Sequence, residues 1–353
     1  MTHQKTVFVG LSGGVDSSVA ALRLIQQGYN VTGVFIKVWH PDFLVCNWEQ
    51  ERLDAMRVAA KLGIPFLTCD AVAEYRDAVA HYFIESYRAG LTPNPDVMCN
   101  KEVKFGAFYR FAMERGADAI ATGHYAQKII HGTDHTLVRG VDTGKDQSYF
   151  LWTITADILK KVLFPVGDSK KDVIRTEAAM AGLLTAHKKD SQGVCFLGQI
   201  DIPDFLSHYI DLKEGRVLDE SGDNIGLHRG SFVYTIGQRH GFTLTNKDAQ
   251  RAPYFVSAKD IEKNTITVTC TMPRLSKQSN LILIQTILNT AINDGDMLTA
   301  QTRYRQAPFS VLVKSNEAKQ IILEVNEETE YPATGQSCVL YRGTQCVGGG
   351  IIL

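Results

Sequence analysis

Thr6-Val-Phe-Val-Gly-Leu-Ser-Gly-Gly-Val-Asp-Ser-Ser18 is the stretch on which the fold turns. Val7, Phe8 and Val9 make an apolar, β-prone run ending at Gly10, the pattern of a short buried parallel strand. Ser12-Gly13-Gly14 cannot prolong that strand, because adjacent glycines permit a turn with φ > 0 and a close approach to another molecule. Asp16, Ser17 and Ser18 open a helix that continues from Val19 to Gln27 and stops at Gly28. Strand, glycine turn and helix start in succession aim several N–H groups and a positive dipole end at one point. Such a point suits a phosphate.

The type of loop follows from what it lacks. No lysine follows Gly13 or Gly14 as a Walker loop requires, and no G-x-G-x-x-G is present. The string is S-G-G-x-D-S, with Ser12 and Ser17 as hydroxyl donors and Asp16 as a candidate magnesium ligand. It resembles the pyrophosphate loop of the N-type ATP pyrophosphatases. That resemblance implies cleavage of ATP between its α and β phosphates and adenylation of a substrate.

Working outward, Val31–Ile36, Pro65–Thr68 and Asp118–Thr122 read as strands that alternate with helical patterns over 51–62, 73–88 and 105–115. This alternation predicts an α/β fold, a doubly wound parallel sheet, with ligands outside the carboxyl ends of its strands. The glycine loop, Ile36 and Gly123-His124 should therefore converge. Leu91 to Cys99 reads as a loop punctuated by Pro93 and Pro95. A helix over 169–181, with Asp168 or Ser169 as N-cap, leads to Lys188 and a glycine-flanked polar stretch containing Cys195. From Ile202 the pattern shifts to one short helix and then short β runs. We expect a catalytic domain over 1–203, a small central domain over 204–275 and a C-terminal β-barrel domain over 276–353.

A net charge of −1 argues against a uniformly basic nucleic-acid binder and leaves room for a local basic patch. No apolar run reaches membrane-spanning length, and strand-like residues begin at Thr6, so no membrane association and a cytoplasmic location are expected. The seven cysteines include no C-x-x-C pair, which disfavours a disulfide framework, a zinc finger or an iron–sulfur cluster of short spacing. Most should be buried small hydrophobes. Cys99 is the exception to consider. Lys101 and Lys104 stand close to it in sequence, and Asp96 lies three residues earlier as a candidate base or acid. Cys195, near Lys188 and Lys189, is the second candidate.

Six separated motifs carry a more specific resemblance. They are Gly10 to Ser17, Pro93-Asn-Pro-Asp-Val-Met-Cys-Asn-Lys101, Ala121-Thr-Gly-His-Tyr-Ala126, Gly144-Lys-Asp-Gln-Ser-Tyr-Phe-Leu151, Asp190-Ser-Gln-Gly-Val-Cys-Phe196 and Gly348-Gly-Gly350. In this order, from the first strand to the C-terminus, they resemble the bacterial tRNA-specific 2-thiouridylases. The resemblance implies that ATP, with Mg2+, adenylates the C2 oxygen of uridine 34 in tRNA, and that a cysteine persulfide then supplies sulfur. Cys195 would carry the persulfide, Cys99 would be the nucleophile, and the two would close a transient disulfide. Asn94, Pro95 and Asp96 would contact the target base. Gly10, Leu11, Ser12, Gly13, Gly14, Val15, Asp16, Ser17, Ile36 and Gly123 would hold ATP. His124, Lys145, Asp146, Gln147, Arg303, Tyr304 and Gln336 would meet tRNA, and a sulfur-relay donor protein would load Cys195. Ile36 departs from the methionine common in the family, a change of little consequence for an apolar adenine contact.

Two bare residue-level expectations complete this reading. Both cysteines should stand on flexible loops so that they can meet, and Arg303 and Arg305 should alternate along a strand face. A synthetase that adenylates a different acceptor, a non-catalytic tRNA-binding or sulfur-relay protein, and a thiolase of a different tRNA position are the competing readings.

Overall fold

The computed structural model describes residues 4–44, 48–189, 200–245, 253–317 and 320–353. The chain opens with β1 (Thr6–Gly10), α1 (Val15–Gln26), β2 (Asn30–Lys37), α2 (Trp48–Leu62) and β3 (Phe66–Asp70). Helices α3 (Val72–Tyr75), α4 (His81–Arg88), α5 (Pro95–Met98) and α6 (Phe108–Glu114) follow. Next come β4 (Ala119–Ala121), the hairpin β5 (Ala126–His131) and β6 (Asp134–Arg139), then α7 (Ala156–Lys160), β7 (Val162–Leu163) and α8 (Lys171–Met180). Five of the strands form a parallel sheet in the order β3-β2-β1-β4-β7. This is the expected doubly wound sheet. Alternation along β1 serves both of its faces: Val7 and Val9 join Val19, Leu24 and Val58 on one side, and Phe8 joins Phe105, Phe108 and Ile120 on the other. Strand order reverses between β1 and β4, so the segments leaving these two strands border the ligand crevice.

After α9 (Ile202–Ser207), β8 (Gly215–Leu218), β9 (Asn224–His228), β10 (Phe242–Leu244), β11 (Phe255–Asp260) and β12 (Thr265–Thr269) form a second sheet, ordered β10-β9-β8-β12-β11. The remaining strands are β13 (Arg274–Leu275), β14 (Asn280–Leu288), β15 (Met297–Gln301), β16 (Phe309–Glu317), β17 (Gln320–Val325), β18 (Thr329–Glu330), β19 (Ser337–Arg342) and β20 (Gln345–Ile352). Six of them close a barrel, β14-β17-β16-β15-β19-β20, with β20 returning to β14. The hairpin β5–β6 attaches to its outside through Val138 and Gln345. Apolar clusters cross between these units. Tyr75, Phe83 and Cys99 share one with Phe205, Val217 and Ile266, while Trp152 and Phe108 share another with Val339 and Tyr341.

Four local expectations are corrected. The segment around Pro93 and Pro95 is not a loop throughout, because Asn94 caps a helix and Pro95 is its first residue. Proline at that position loses no hydrogen bond and arrives with φ already helical. From there a wide π-helical stretch, Cys99–Ala107, joins α5 to α6, so Cys99 stands on a helix rather than on a flexible loop. Neither Asp168 nor Ser169 caps α8: its N-cap is Lys170, and Asp142 Oδ2 accepts from the Lys171 N–H at 3.0 Å. Asp168 and Ser169 bind Arg23 instead. Finally, β15 ends at Gln301 and the chain turns, with Arg305 at φ 64°, so Arg303 and Arg305 do not share a strand face.

Candidate active site

The phosphate loop is held from within. Leu11 N–H donates to Val34 O at 2.8 Å as the chain leaves β1. Gly14 is the N-cap of α1, where no side chain makes a capping hydrogen bond, and neighbouring hydroxyls bond the Gly14 backbone instead. Ser17 and Ser18 Oγ donate to Gly14 O at 3.2 and 2.7 Å, and Ser12 Oγ accepts from Gly14 N–H at 3.3 Å. Gly13 has φ 70°, and a Cβ there would stand 2.9 Å from Asp54 Cβ on α2. A Cβ on Gly123 would come within 2.6 Å of Ser17 N. On the opposite side, Ile36 Cδ1 and the Phe108 ring lie 3.7 and 3.6 Å from where a Gly10 side chain would start. The loop, Ile36 and Gly123 therefore meet, at the crevice where the strand order reverses.

Asp16 has partners that local sequence does not disclose. Its carboxylate accepts from Lys171 Nζ at 2.7 and 2.8 Å and from Tyr125 Oη at 2.7 Å. Lys171 is 155 positions away and belongs to no phosphate motif.

The thiol lies on the other wall. Cys99 is 5% exposed, in the apolar cluster with Val79, Phe83 and Val103, against which Ile36 and Met98 also pack. The lysines near it in sequence turn elsewhere. Lys101 pairs with Glu102 at 3.1 Å, and Lys104 Nζ lies 3.5 Å from His124 Nε2. An ammonium can only donate, so Nε2 accepts, and Nδ1–H donates to Thr122 Oγ1 at 2.8 Å. Burial, assisted by the Lys104 charge, holds His124 neutral, well below the usual histidine range. Asp96 is pushed upward by burial, with Lys104 opposing the shift. Asp96, Lys104 and His124 thus form one electrostatic group.

A pH prediction follows. Folded Asp96 binds its proton more tightly than unfolded Asp96, so it costs stability as pH rises from the ordinary aspartate value, about 4, through the raised one. Below that window the cost is absent. Asp96→Asn should therefore gain stability relative to wild type as pH increases through the window, read as the difference in urea midpoints between acid and neutral pH. A difference independent of pH would refute it.

Cys195 lies outside the described residues, but both flanks of its segment are placed. Lys188 pairs at 2.8 Å with Asp54, the residue that abuts Gly13. Ile200 packs against the cluster that contains Cys99.

Known proteins are similar to this chain in sequence across its whole length. The chain is 42% identical over 358 aligned positions to the tRNA-specific 2-thiouridylase MnmA of Francisella tularensis subsp. tularensis (strain WY96-3418), covering 99% of this chain and 100% of that one. The chain belongs to the tRNA-specific 2-thiouridylase family. The Francisella philomiragia protein of the same name is likewise 42% identical, covering 98% of this chain and 99% of its own. Family models match residues 5–199 as a tRNA methyl transferase HUP domain, 203–270 as a tRNA methyl transferase PRC-barrel domain and 286–352 as an aminomethyltransferase beta-barrel domain. A solved 4-thiouridine synthetase–RNA complex with bound ATP is 20% identical at TM-score 0.35, covering 58% of this chain and 50% of that one.

The residues expected at tRNA divide into inward and outward groups. His124 and Asp146 are buried. Asp146 pairs with Arg139 at 2.8 Å and accepts from the backbone N–H of Gly140 and Ser148. Gln147 Oε1 accepts from Tyr125 N–H at 3.0 Å, so this turn braces the segment leaving β4. Lys145, next to them, is half-buried. Gln336 Nε2 donates to Pro93 O at 3.2 Å, and Thr92 N–H to Thr334 O at 2.9 Å, which ties the Asn94-Pro95-Asp96 segment to the barrel. Arg303 binds Glu330 and the carbonyls of Ile236 and Tyr331. Tyr304 packs on Phe150, with the Arg305 guanidinium 5.2 Å from its ring centre. A groove of about 510 Å³ there sets Arg274, Arg303 and Arg305 against Glu327, Glu328 and Glu330. Cys69, Cys338 and Cys346 are buried, as expected of structural thiols, whereas Cys270 is exposed. Among the described residues no helix is long and apolar enough to cross a membrane.

Proposed function

We propose that this chain is a tRNA-uridine 2-sulfurtransferase that spends ATP to activate the wobble uridine and replaces its C2 oxygen with persulfide sulfur. The observation that carries the reading is the tether of the Cys195 segment. One flank is fastened beside the phosphate loop by Lys188–Asp54, and the other enters the cluster around Cys99. The placed flanks, Lys188 beside the nucleotide loop and Ile200 at the Cys99 cluster, support a reading in which the two sulfurs act at one nucleotide site.

First-turn amides of α1 and the hydroxyls of Ser12 and Ser17 hold the phosphates, with the adenine against Ile36 and Gly123. Asp16 would hold Mg2+, a fit supported by its two carboxylate oxygens already accepting a cationic group, the Lys171 ammonium. When bound, that ion neutralises phosphate charge. Uridine 34, lifted from its stack, presents O2 to the α phosphorus. The O2–P bond forms, the bond to the bridging oxygen breaks, and pyrophosphate leaves with the electron pair. Asp96, whose burial raises its proton affinity, receives the N3 proton. The terminal sulfur of a Cys195 persulfide then attacks C2 and AMP departs. Cys99 thiolate attacks Cys195 Sγ, the sulfur–sulfur bond breaks toward the base, and Asp96 returns the proton to N3. The products are 2-thiouridine and a Cys99–Cys195 disulfide, which a thiol reductant reopens before a sulfur-relay protein reloads Cys195. Such a reaction belongs with the cytoplasmic tRNA pool.

Methyl transfer, the wording of the family-model descriptions, has no step that uses a phosphate loop of this kind. The test is mass spectrometry of nucleosides from tRNA incubated with the protein, ATP, magnesium and a persulfide source. We expect 2-thiouridine at position 34. Its absence beside a working control would reject the reading.

A further inference from the structure

We propose that Thr92 is a positioning residue for the target uridine, its hydroxyl linking the base-contacting segment to the turn that holds Arg303. The inference rests on the sulfurtransferase reading above and adds two threonines that its steps do not use. Thr92 is buried, and its Oγ1 lies 3.1 Å from Thr235 Oγ1, across 143 positions of sequence. Thr235 is itself fixed. Its N–H donates to Gln238 Oε1 at 3.1 Å, and its carbonyl accepts from Gln238 N–H at 3.0 Å. The next residue, Ile236, presents its carbonyl to Arg303 Nη2 at 3.1 Å. Arg303 is a residue expected at tRNA, so a short chain of bonds runs from an RNA contact to the segment expected at the base.

What Thr92 carries is stiff. It precedes Pro93, and Asn94 precedes Pro95, so both are confined to extended backbone beside prolines of fixed φ. Asn94 is extended, at φ −115° and ψ 91°, and its side chain then caps α5. A shift at Thr92 therefore reaches Asn94, Pro95 and Asp96 with little free torsion to absorb it. The barrel holds the same residues from its own side. Thr92 N–H donates to Thr334 O at 2.9 Å, and a Cβ on Gly335 would stand 3.0 Å from Thr92 N. Gln336 Nε2 donates to Pro93 O at 3.2 Å. Those bonds fix the segment against the barrel, and the hydroxyl pair ties it to the central domain. Adenylation needs uridine O2 in line with the α phosphorus, and a misplacement of about 1 Å costs about 10²-fold. RNA held at Arg303 and a base held at Asn94–Asp96 must keep one spacing, and the Thr92–Thr235 bond sets it.

Kinetics of the full-length protein with tRNA, ATP, magnesium and a persulfide source test the assignment. Thr92→Val should lower kcat for 2-thiouridine formation by about 10- to 100-fold, with tRNA-dependent pyrophosphate release falling in step. KM for tRNA and affinity for ATP should stay within about threefold of wild type, and Thr92→Ser should bring kcat back to within about threefold. Thr235→Val should show the same loss from the other domain. The double variant should be no slower than either single, since one bond is removed in all three. Melting curves accompany each variant, and rates are read well below the lowest transition. An unchanged kcat with a lowered melting temperature would make the bond a plain cross-link and overturn the proposal. So would a loss confined to KM, additive losses in the double variant, or a Thr92→Ser as slow as Thr92→Val. A wild type that releases no pyrophosphate with tRNA would overturn the sulfurtransferase reading itself, and this inference with it.

Discussion

Replacing Cys99 with serine should lower 2-thiouridine formation by about 10³-fold or more while tRNA-dependent release of pyrophosphate continues. The split follows from the order of events. Adenylation involves uracil oxygen, the α phosphorus and the phosphate loop, none of which contains Cys99. In the proposed mechanism the thiol enters only when the sulfur–sulfur bond must be opened toward the base, and a serine hydroxyl is neither ionised enough nor soft enough to do so. Structural damage cannot mimic this result. The change is close to isosteric, and placing one hydroxyl among Val79, Phe83 and Val103 costs about 1–3 kcal/mol. The other buried thiols supply the control. Burial pushes Cys69 up to about 11 and Cys346 up to about 12, so both stay protonated at neutral pH, and their alanine variants should retain thiolation. Full thiolation by Cys99→Ser, or loss of pyrophosphate release together with thiolation, would remove Cys99 from the sulfur step.

How much of this was legible depended on the range of each interaction. Val7, Phe8 and Val9 followed by Gly13 and Gly14 announce a strand and a phosphate turn because both are local consequences of side-chain size and backbone freedom. The convergence of Ile36 and Gly123 on that turn was equally legible, since any doubly wound sheet puts its strand ends on one side. Pro93 and Pro95 misled because proline both breaks helices and begins them. The deciding fact is the Asn94 side chain accepting from Val97 N–H at 3.2 Å. Nothing near Asp16 foretells Lys171 or Tyr125, whose approach depends on how α8 and the segment after β4 pack. Likewise Arg303 and Arg305 alternate in sequence as on a strand, yet Gln306 Oε1 accepts from the N–H groups of Thr302 and Arg303 and closes a turn. Short-range polar competition decided that segment, and periodicity does not register it.

Gly123→Ala should reduce ATP affinity by about 100-fold and cost about 1–3 kcal/mol of stability, whereas Gly10→Ala should leave stability within about 0.5 kcal/mol. Both glycines carry the same expectation from sequence, and the structure separates them. The new methyl at 123 would lie 2.6 Å from Ser17 N, 2.8 Å from the Asp16 carbonyl carbon and 3.0 Å from Asp16 Cβ. Its obstacles are mostly backbone, and no rotamer relieves them. Relief by moving the segment after β4 is opposed by the β1–β4 register, Val9 with Ala121, and by Thr122 N–H donating to Leu163 O at 3.2 Å. The other route shifts the first turn of α1, which carries Asp16, Ser17 and the amides that would meet phosphate. Hydrogen bonds to an anion lose strength steeply with misalignment, so displacing several donors together explains an effect on affinity beyond the lost stability. At Gly10 the nearest atoms to an added methyl are the Phe108 ring at 3.6 Å and Ile36 at 3.7 Å, ordinary contact distances. Urea unfolding and calorimetric ATP titration of both variants check the pair of outcomes. Should Gly123→Ala bind ATP like wild type, the contact between the β4 exit and the phosphate loop would have no bearing on nucleotide binding.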